Sequence, residues 1–129
     1  MFTLEQIKQA YDKVKTEADF AVYIQELIDL GIKGYDTFIT DGRVVYYGDT
    51  DHEASTESKY GPLAIAATAN KERLIESLVL HESGQTDYYT FCQKAAQCGI
   101  AKCRIDIIEM TSTYLTSQND PIVIEKIPV

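Results

Sequence analysis

Asp19-Phe20-Ala21-Val22-Tyr23-Ile24-Gln25, running on to Leu30-Gly31-Ile32, returns as Asp87-Tyr88-Tyr89-Thr90-Phe91-Cys92-Gln93, running on to Cys98-Gly99-Ile100. The offset is constant at 68 residues (87 − 19). Identity holds at Asp19/Asp87, Gln25/Gln93, Gly31/Gly99 and Ile32/Ile100, and aromatics exchange at Phe20/Tyr88 and Tyr23/Phe91. The match extends upstream to Ile7/Ile75 and downstream to Tyr46/Tyr114. Two copies of one helix-helix-hairpin unit account for most of the chain.

Each copy reads in the same way. Thr3 and Gln6 form a Thr-x-x-Gln capping box ahead of the stripe Leu4, Ile7, Ala10, Tyr11 and Val14, which predicts a helix over about 4–15. Asp19 caps a second helix, 20–30, with Phe20, Tyr23, Ile24, Leu27 and Ile28 inward and Gly31 as its left-handed stop. Tyr35–Thr40, Asp41-Gly42 and Arg43–Tyr47 then read as a hairpin on a type I′ turn. In the second copy Asn70 caps a helix over 71–82 with Leu74, Ile75, Leu78 and Val79 inside. Gly84 breaks it, Thr86 caps 87–98, and Gly99 stops that helix. Strands follow at about 101–109 and 112–117, and Pro121 admits a last strand, Ile122 to Lys126, with no counterpart in the first half.

Between the copies, the polar residues 49–62 read as a surface loop, and Leu63 to Ala67 as one short buried strand or a helical turn, which length and periodicity do not separate. The chain is thus a single domain, 1–129, with pseudo-repeats at about 3–50 and 70–127. Helices are segregated from antiparallel strands, so the class is α+β, an antiparallel sheet covered by helices. The hairpins are expected to join edge to edge with the helices on one face.

Composition narrows the function classes. At 129 residues with 45% hydrophobic and 25% charged, the chain needs neither disulfide nor metal to build a core. Net charge −8 argues against direct nucleic-acid binding, since that affinity rests on Lys and Arg displacing counterions. No membrane association is expected on the same ground and for want of a long apolar run. Three cysteines without a Cys-x-x-Cys pair, in a chain opening Met-Phe-Thr-Leu-Glu, read as reduced thiols in the cytoplasm.

Candidate chemistry is sparse. His81 and Cys92 lie on the two helices of the second unit and invite a thiol-catalysis reading. Cys92 also falls on the stripe Tyr88, Phe91, Cys92, Ala95, Ala96, where a thiol behaves as a small hydrophobe slow toward alkylation. Asp49-Thr50-Asp51-His52-Glu53 with Glu57 imitates a calcium loop but has Ala54 at the position requiring Gly and Tyr60 at the position requiring Glu. A solvated acidic loop is the better reading, and no metal or cofactor is expected. Asp87, at the helix-helix junction His81 to Tyr88, reads as a cap and not as part of an anion site.

Tyrosine is abundant at nine residues, and Tyr46 and Tyr47 must point to opposite faces of their strand. The expected ligand site is a groove between the halves, lined by Tyr46 or Tyr47 and by His81, Gln85 and Tyr88. These readings make the chain a binding module for a small molecule or a protein, with a homodimer among the assemblies open to it. The alternatives are a cysteine-dependent enzyme using Cys92 with His81, and an acidic inhibitor of a DNA-handling protein.

Tyr35-Asp36-Thr37-Phe38, Asp41-Gly42 with Val45-Tyr46-Tyr47-Gly48, Ser83-Gly84-Gln85-Thr86-Asp87-Tyr88 with Thr90-Phe91-Cys92, and Glu125-Lys126-Ile127-Pro128 carry a resemblance. The chain resembles a family of small bacterial and prophage-encoded proteins of unknown function, sometimes labelled phage envelope protein. Relatives tend to carry Trp where this chain has Cys103. The resemblance implies no activity, cofactor or catalytic residue.

Overall fold

The computed structural model describes residues 2–14, 17–48 and 52–127, with the backbone alone for residues 17–20. Its elements are α1 (Leu4–Tyr11), α2 (Glu17–Asp29), β1 (Ile32–Phe38), β2 (Val44–Gly48), β3 (Glu53–Ser55), α3 (Lys71–Glu82), α4 (Tyr88–Gln97), β4 (Lys102–Asp106), β5 (Thr111–Leu115) and β6 (Pro121–Lys126). The strands form one antiparallel sheet in the order β3-β2-β1-β4-β5-β6. The architecture is α+β, and the hairpins join edge to edge through β1 and β4.

Side-chain alternation divides the sheet into two unlike faces. Tyr35, Tyr46, Ala54 and Ile105 face the helices and pack with Phe2, Ile7, Ala10, Tyr23, Ile24, Leu27, Ile32 and Ile107. Cys103, Tyr114 and Val123, on the same face, pack with Leu74, Leu78, Phe91, Cys92, Ala95, Ala96, Ile100 and Ile39. The core is therefore two clusters side by side, one beneath each helix pair. Each borrows from the other half, Ile39 in the second cluster and Ile105 and Ile107 in the first.

The offset of the sequence match reappears in the backbone geometry. Tyr35 pairs with Tyr46 in the first hairpin and Cys103 with Tyr114 in the second, positions related by 68 residues. Across the join, Ile39 N donates to Ala101 O at 2.8 Å and Ile107 N to Lys33 O at 3.0 Å, the same bond with the halves exchanged. Asp36 pairs with Arg104, themselves 68 residues apart, so the exchange axis passes through that pair. Gly31 and Gly99 end α2 and α4 at φ 89° and 82°. The amide of Gly99 approaches the chain near Thr68 and Ala69, where an added Cβ would lie 2.8 Å from Thr68 O.

Several local expectations are corrected. The first hairpin turns through residues 39–43 and is not a two-residue type I′ turn, for Gly42 has φ 76° while Asp41 stays at negative φ. Asp41 instead accepts from Arg43 N at 3.0 Å and Ser58 Oγ at 2.8 Å, and the amide of Arg43 in particular holds its carboxyl below the usual range. Gly42 is needed twice, by its φ and because an added Cβ would meet the Tyr60 ring at 2.7 Å. Residues 53–55, read as loop, form β3, which pairs Glu53 with Tyr47 as Pro121 of β6 pairs with Leu115. The last strand thus has a positional counterpart.

Leu63 to Ala67 form no strand. That segment is held by single bonds, Leu63 N to Thr40 O and Ala66 N to Ala96 O, which suits a strap and not a ladder. On α3 the inward residues are Leu74, Ser77 and Leu78, with Ser77 Oγ donating to Arg73 O, whereas Ile75 and Val79 are exposed. α2 begins at Glu17, which puts Asp19 inside its first turn, and Phe20's side chain and the calcium-like Asp49–Asp51 lie outside the described residues. Asp87, not Thr86, caps α4, accepting from Thr90 N at 2.7 Å. The capping box at Thr3 and the cap at Asn70 are as read.

Candidate functional site

The face of the sheet turned away from the helices carries an open groove of about 760 Å³ lined by Asp36, Phe38, Arg43, Val45, Tyr47, Gly48, His52, Glu53, Ser55 and Arg104. Strand pairing sets its rows: Ser55, Val45, Asp36 and Arg104 lie abreast, with Glu53, Tyr47 and Gly34 one row along. Gly34 matters by what it lacks. A Cβ there would stand 2.6 Å from the Tyr47 hydroxyl, so the bare backbone lets the tyrosine lie across β1.

At the axis, Arg104 donates Nε to Asp36 Oδ1 at 2.9 Å and Nη2 to Oδ2 at 3.1 Å, a two-pronged pair. Lys102 Nζ adds a longer contact to the same carboxylate at 3.8 Å. The bond to Asp36 raises the guanidinium's proton affinity further. Desolvation, followed by the Asp36 charge, raises the Tyr47 hydroxyl, which therefore stays a neutral donor.

Arg43 lies with its guanidinium carbon 4.5 Å from the centre of the Phe38 ring, and Lys102 Nζ is 5.9 Å from the same ring. At the far side His52 bonds through Nε2 to Phe2 O at 2.9 Å, with its ring edge-on to Phe2. A carbonyl can only accept, so Nε2 carries the proton. Gly48 N donates to His52 O, which brings the start of β3 back beside β2.

Of the residues read from sequence as ligand-binding, Tyr47 alone lines this groove. Tyr46 points to the opposite face, tilted against Tyr35 at 5.2 Å in the first core cluster. His81 stacks on Phe91 at 4.8 Å and donates from Nδ1 to Thr86 O at 3.1 Å. Gln85 is exposed and bonds Ser83 Oγ at 3.2 Å. Tyr88 exposes one side of its ring while its hydroxyl end is desolvated, with Cys92, Tyr60 and Cys103 near enough to raise it further. The structure does not bring Tyr47 together with the His81–Tyr88 junction, because the sheet stands between them.

Nor does it build a thiol dyad. Cys92 is fully buried, burial pushes its thiol up, and the hydroxyls of Tyr60 and Tyr88 bound its sulfur. Among the described residues no hydrogen bond joins it to His81. Cys98 is raised by burial, and Cys103, bonded to Ser112 Oγ, is pushed up to about 11 by the same cause. Among the described residues no three His, Cys, Asp or Glu side chains are placed to hold a metal ion, and no helix is long and apolar enough to cross a membrane.

A family model described as "Protein of unknown function (DUF1398)" matches residues 8–126, from α1 to the end of β6. The chain belongs to that family. Among the described residues the matched span takes in the second half of α1, the other three helices and the six strands of this DUF1398 member. No curated protein matches the chain.

Apart from Tyr47, the sequence does not single out the groove residues as ligand-binding, for a definite reason. Asp36, Phe38 and Arg43 belong to one hairpin and Arg104 to the other, and only the β1–β4 join makes them neighbours. One signal was available: Asp36 and Arg104 occupy matched positions with opposite charge.

Proposed function

We propose that this DUF1398 member is a cytoplasmic binding module for a small molecule, and that the ligand occupies the groove on the helix-free face. The observation that carries the reading is the groove itself: about 760 Å³, within the usual range for ligand pockets, with an aromatic floor and a few convergent charges. Most of its side chains come from β1, β2, β3 and β4, with Arg43 and His52 immediately before β2 and β3, so the sheet holds most of the lining in place. Internal duplication of a helix-helix-hairpin unit is part of the same reading, supported by hairpins that share one register at one offset.

Amide chemical-shift mapping against a library of small metabolites tests it. Saturable shifts at Phe38, Val45, Tyr47 and Arg104, abolished in Tyr47→Ala with the fold retained, are expected. Ligands that shift only the helix-side residues around Tyr88 would sink it. Buried, raised thiols also oppose the cysteine-enzyme alternative: native Cys92 should react with iodoacetamide far more slowly than the unfolded chain does. Rapid native labelling of Cys92, blocked by a small molecule, would restore that alternative.

A further inference from the structure

The charges of the groove are not evenly spread. Arg43 and Lys102 lie over Phe38, and Lys102 and Arg104 contact the carboxylate of Asp36, so three cations stand at this end with one lining carboxylate. Glu53, the other acidic side chain of the lining, enters from β3 beside Tyr47. An excess of positive charge at one end of a cavity is notable in a chain of net charge −8. It sets a polarity that a ligand must match.

Arg43 is the group least committed. Arg104 uses Nε and Nη2 on Asp36, and Lys102 leans on the same carboxylate. Among the described residues no ion pair closes on Arg43; its charge reaches the neighbouring Asp41 carboxylate, which accepts from Arg43 N and Ser58 Oγ, without direct contact. Its guanidinium carbon sits over the Phe38 ring, the residue is exposed, and among the described residues its guanidinium N–H groups make no hydrogen bond, so they remain available to a ligand. A guanidinium held over a ring loses less rotamer freedom on binding than one free in solvent. A planar carboxylate is the group that two parallel N–H donors fit.

What would extend from that carboxylate is set by the next residues along β2. Val45 and Tyr47 follow Arg43 at alternate positions on the same face and offer an apolar strip ending in a neutral phenol. We infer that the groove takes a small planar monocarboxylate, its carboxylate on Arg43 at the Phe38 end and its ring or conjugated body over Val45 toward Tyr47. This rests on the groove being the binding site.

The test uses the full chain, with benzoate, benzamide, benzylamine and inorganic phosphate followed by amide shifts. Benzoate should saturate, shifting Phe38, Arg43, Val45 and Tyr47, and Arg43→Ala should weaken it on the order of tenfold to a hundredfold, as loss of a charged hydrogen-bonding partner does. Arg43→Lys, which keeps the charge but not the fork, should retain only part of the affinity. Glu53→Gln should tighten benzoate and weaken benzylamine, an opposite change that misfolding cannot imitate. Lys8→Ala, on the surface of α1, serves as the control.

Benzamide or benzylamine binding the same residues as tightly as benzoate would overturn the carboxylate and leave the groove standing. Phosphate matching benzoate would overturn the planar body. Benzoate affinity unchanged in Arg43→Ala would overturn the assignment of the carboxylate to Arg43, and no groove shift with benzoate would overturn this inference, while the metabolite library separately decides the reading beneath it.

Discussion

The two hairpins have one register and two different outer faces. On the outer face of β1 and β2 stand Asp36, Phe38, Arg43, Val45 and Tyr47, whereas the matched positions of β4 and β5 hold Arg104, Asp106, Thr111, Thr113 and Leu115. On the helix side the contrast is milder: Tyr35, Tyr46, Tyr23 and Ile24 answer to Cys103, Tyr114, Phe91 and Cys92, all packed in a core. A backbone pairing scheme thus fixes where side chains point and constrains the covered face by packing. The face away from the helices is less constrained: both hairpins place two charged residues there, but the first adds the rings of Phe38 and Tyr47 where the second has Asp106 and a buried Leu115.

The sharpest way to break the comparison is through the cores, where the halves should behave alike. Leu27 and Leu74 are each fully buried, one in each cluster. Leu27→Ala and Leu74→Ala should each cost about 2–5 kcal/mol in urea unfolding. Both should keep a single transition, because one sheet carries both clusters. A second transition in either variant would show that the halves unfold separately.

A smaller loss is expected at the join. Removing Arg104 leaves Asp36, whose side chain is only 12% exposed, without its two-pronged partner. Arg104→Ala should cost about 1–3 kcal/mol, and a double-mutant cycle with Asp36→Asn should recover a coupling of similar sign. Additive losses would remove the pair from the stability of the join.

The caps compare the halves more finely. Thr3 and Asn70 each accept from the backbone N–H three residues on, at 3.2 Å and 3.1 Å. Thr3→Ala and Asn70→Ala should each lower stability by about 1 kcal/mol, the former also breaking the reciprocal Gln6 bond. A loss at one end only would mean that the two helix pairs are not equally supported.

The smallest effect lies in the second half alone, where burial, and then the charge and hydrogen bond of Glu82, raise the Glu125 carboxyl. A folded value above the unfolded one means a contribution present below the unfolded value and lost as pH rises through the folded value. Glu125→Gln should therefore melt higher than wild type near neutral pH, with the difference closing in acid. Equal melting temperatures at all pH values would contradict the contact.

The helices and strands were legible where signals were local and redundant: a capping box at Thr3, a cap at Asn70, glycine stops at 31 and 99. Errors arose where tertiary contact outweighed a local rule. Asp41-Gly42 satisfies the type I′ pattern, yet Lys59 and Tyr60 donate to Asp41 O and draw the turn into a longer loop. Glu53–Ser55 is too short and polar to announce a strand, and forms one because β2 offers an open edge. Ile75 and Val79 fit a helical stripe but the core accepts Ser77, whose hydroxyl is satisfied within its own helix. Of the site, the opposed directions of Tyr46 and Tyr47 followed from strand geometry, while the gathering of Arg43, Asp36 and Arg104 required the β1–β4 join, which no local pattern encodes.

That join also governs which strands may meet between separate molecules. Two chains exchanging β1 against β1 about a twofold axis in this register would set Asp36 opposite Asp36, and exchange of β4 would set Arg104 opposite Arg104. Like charges placed directly across strands repel. Two identical halves could pair in any combination; with an acid on one side of the axis and a base on the other, a first half is matched to a second half and not to another first half.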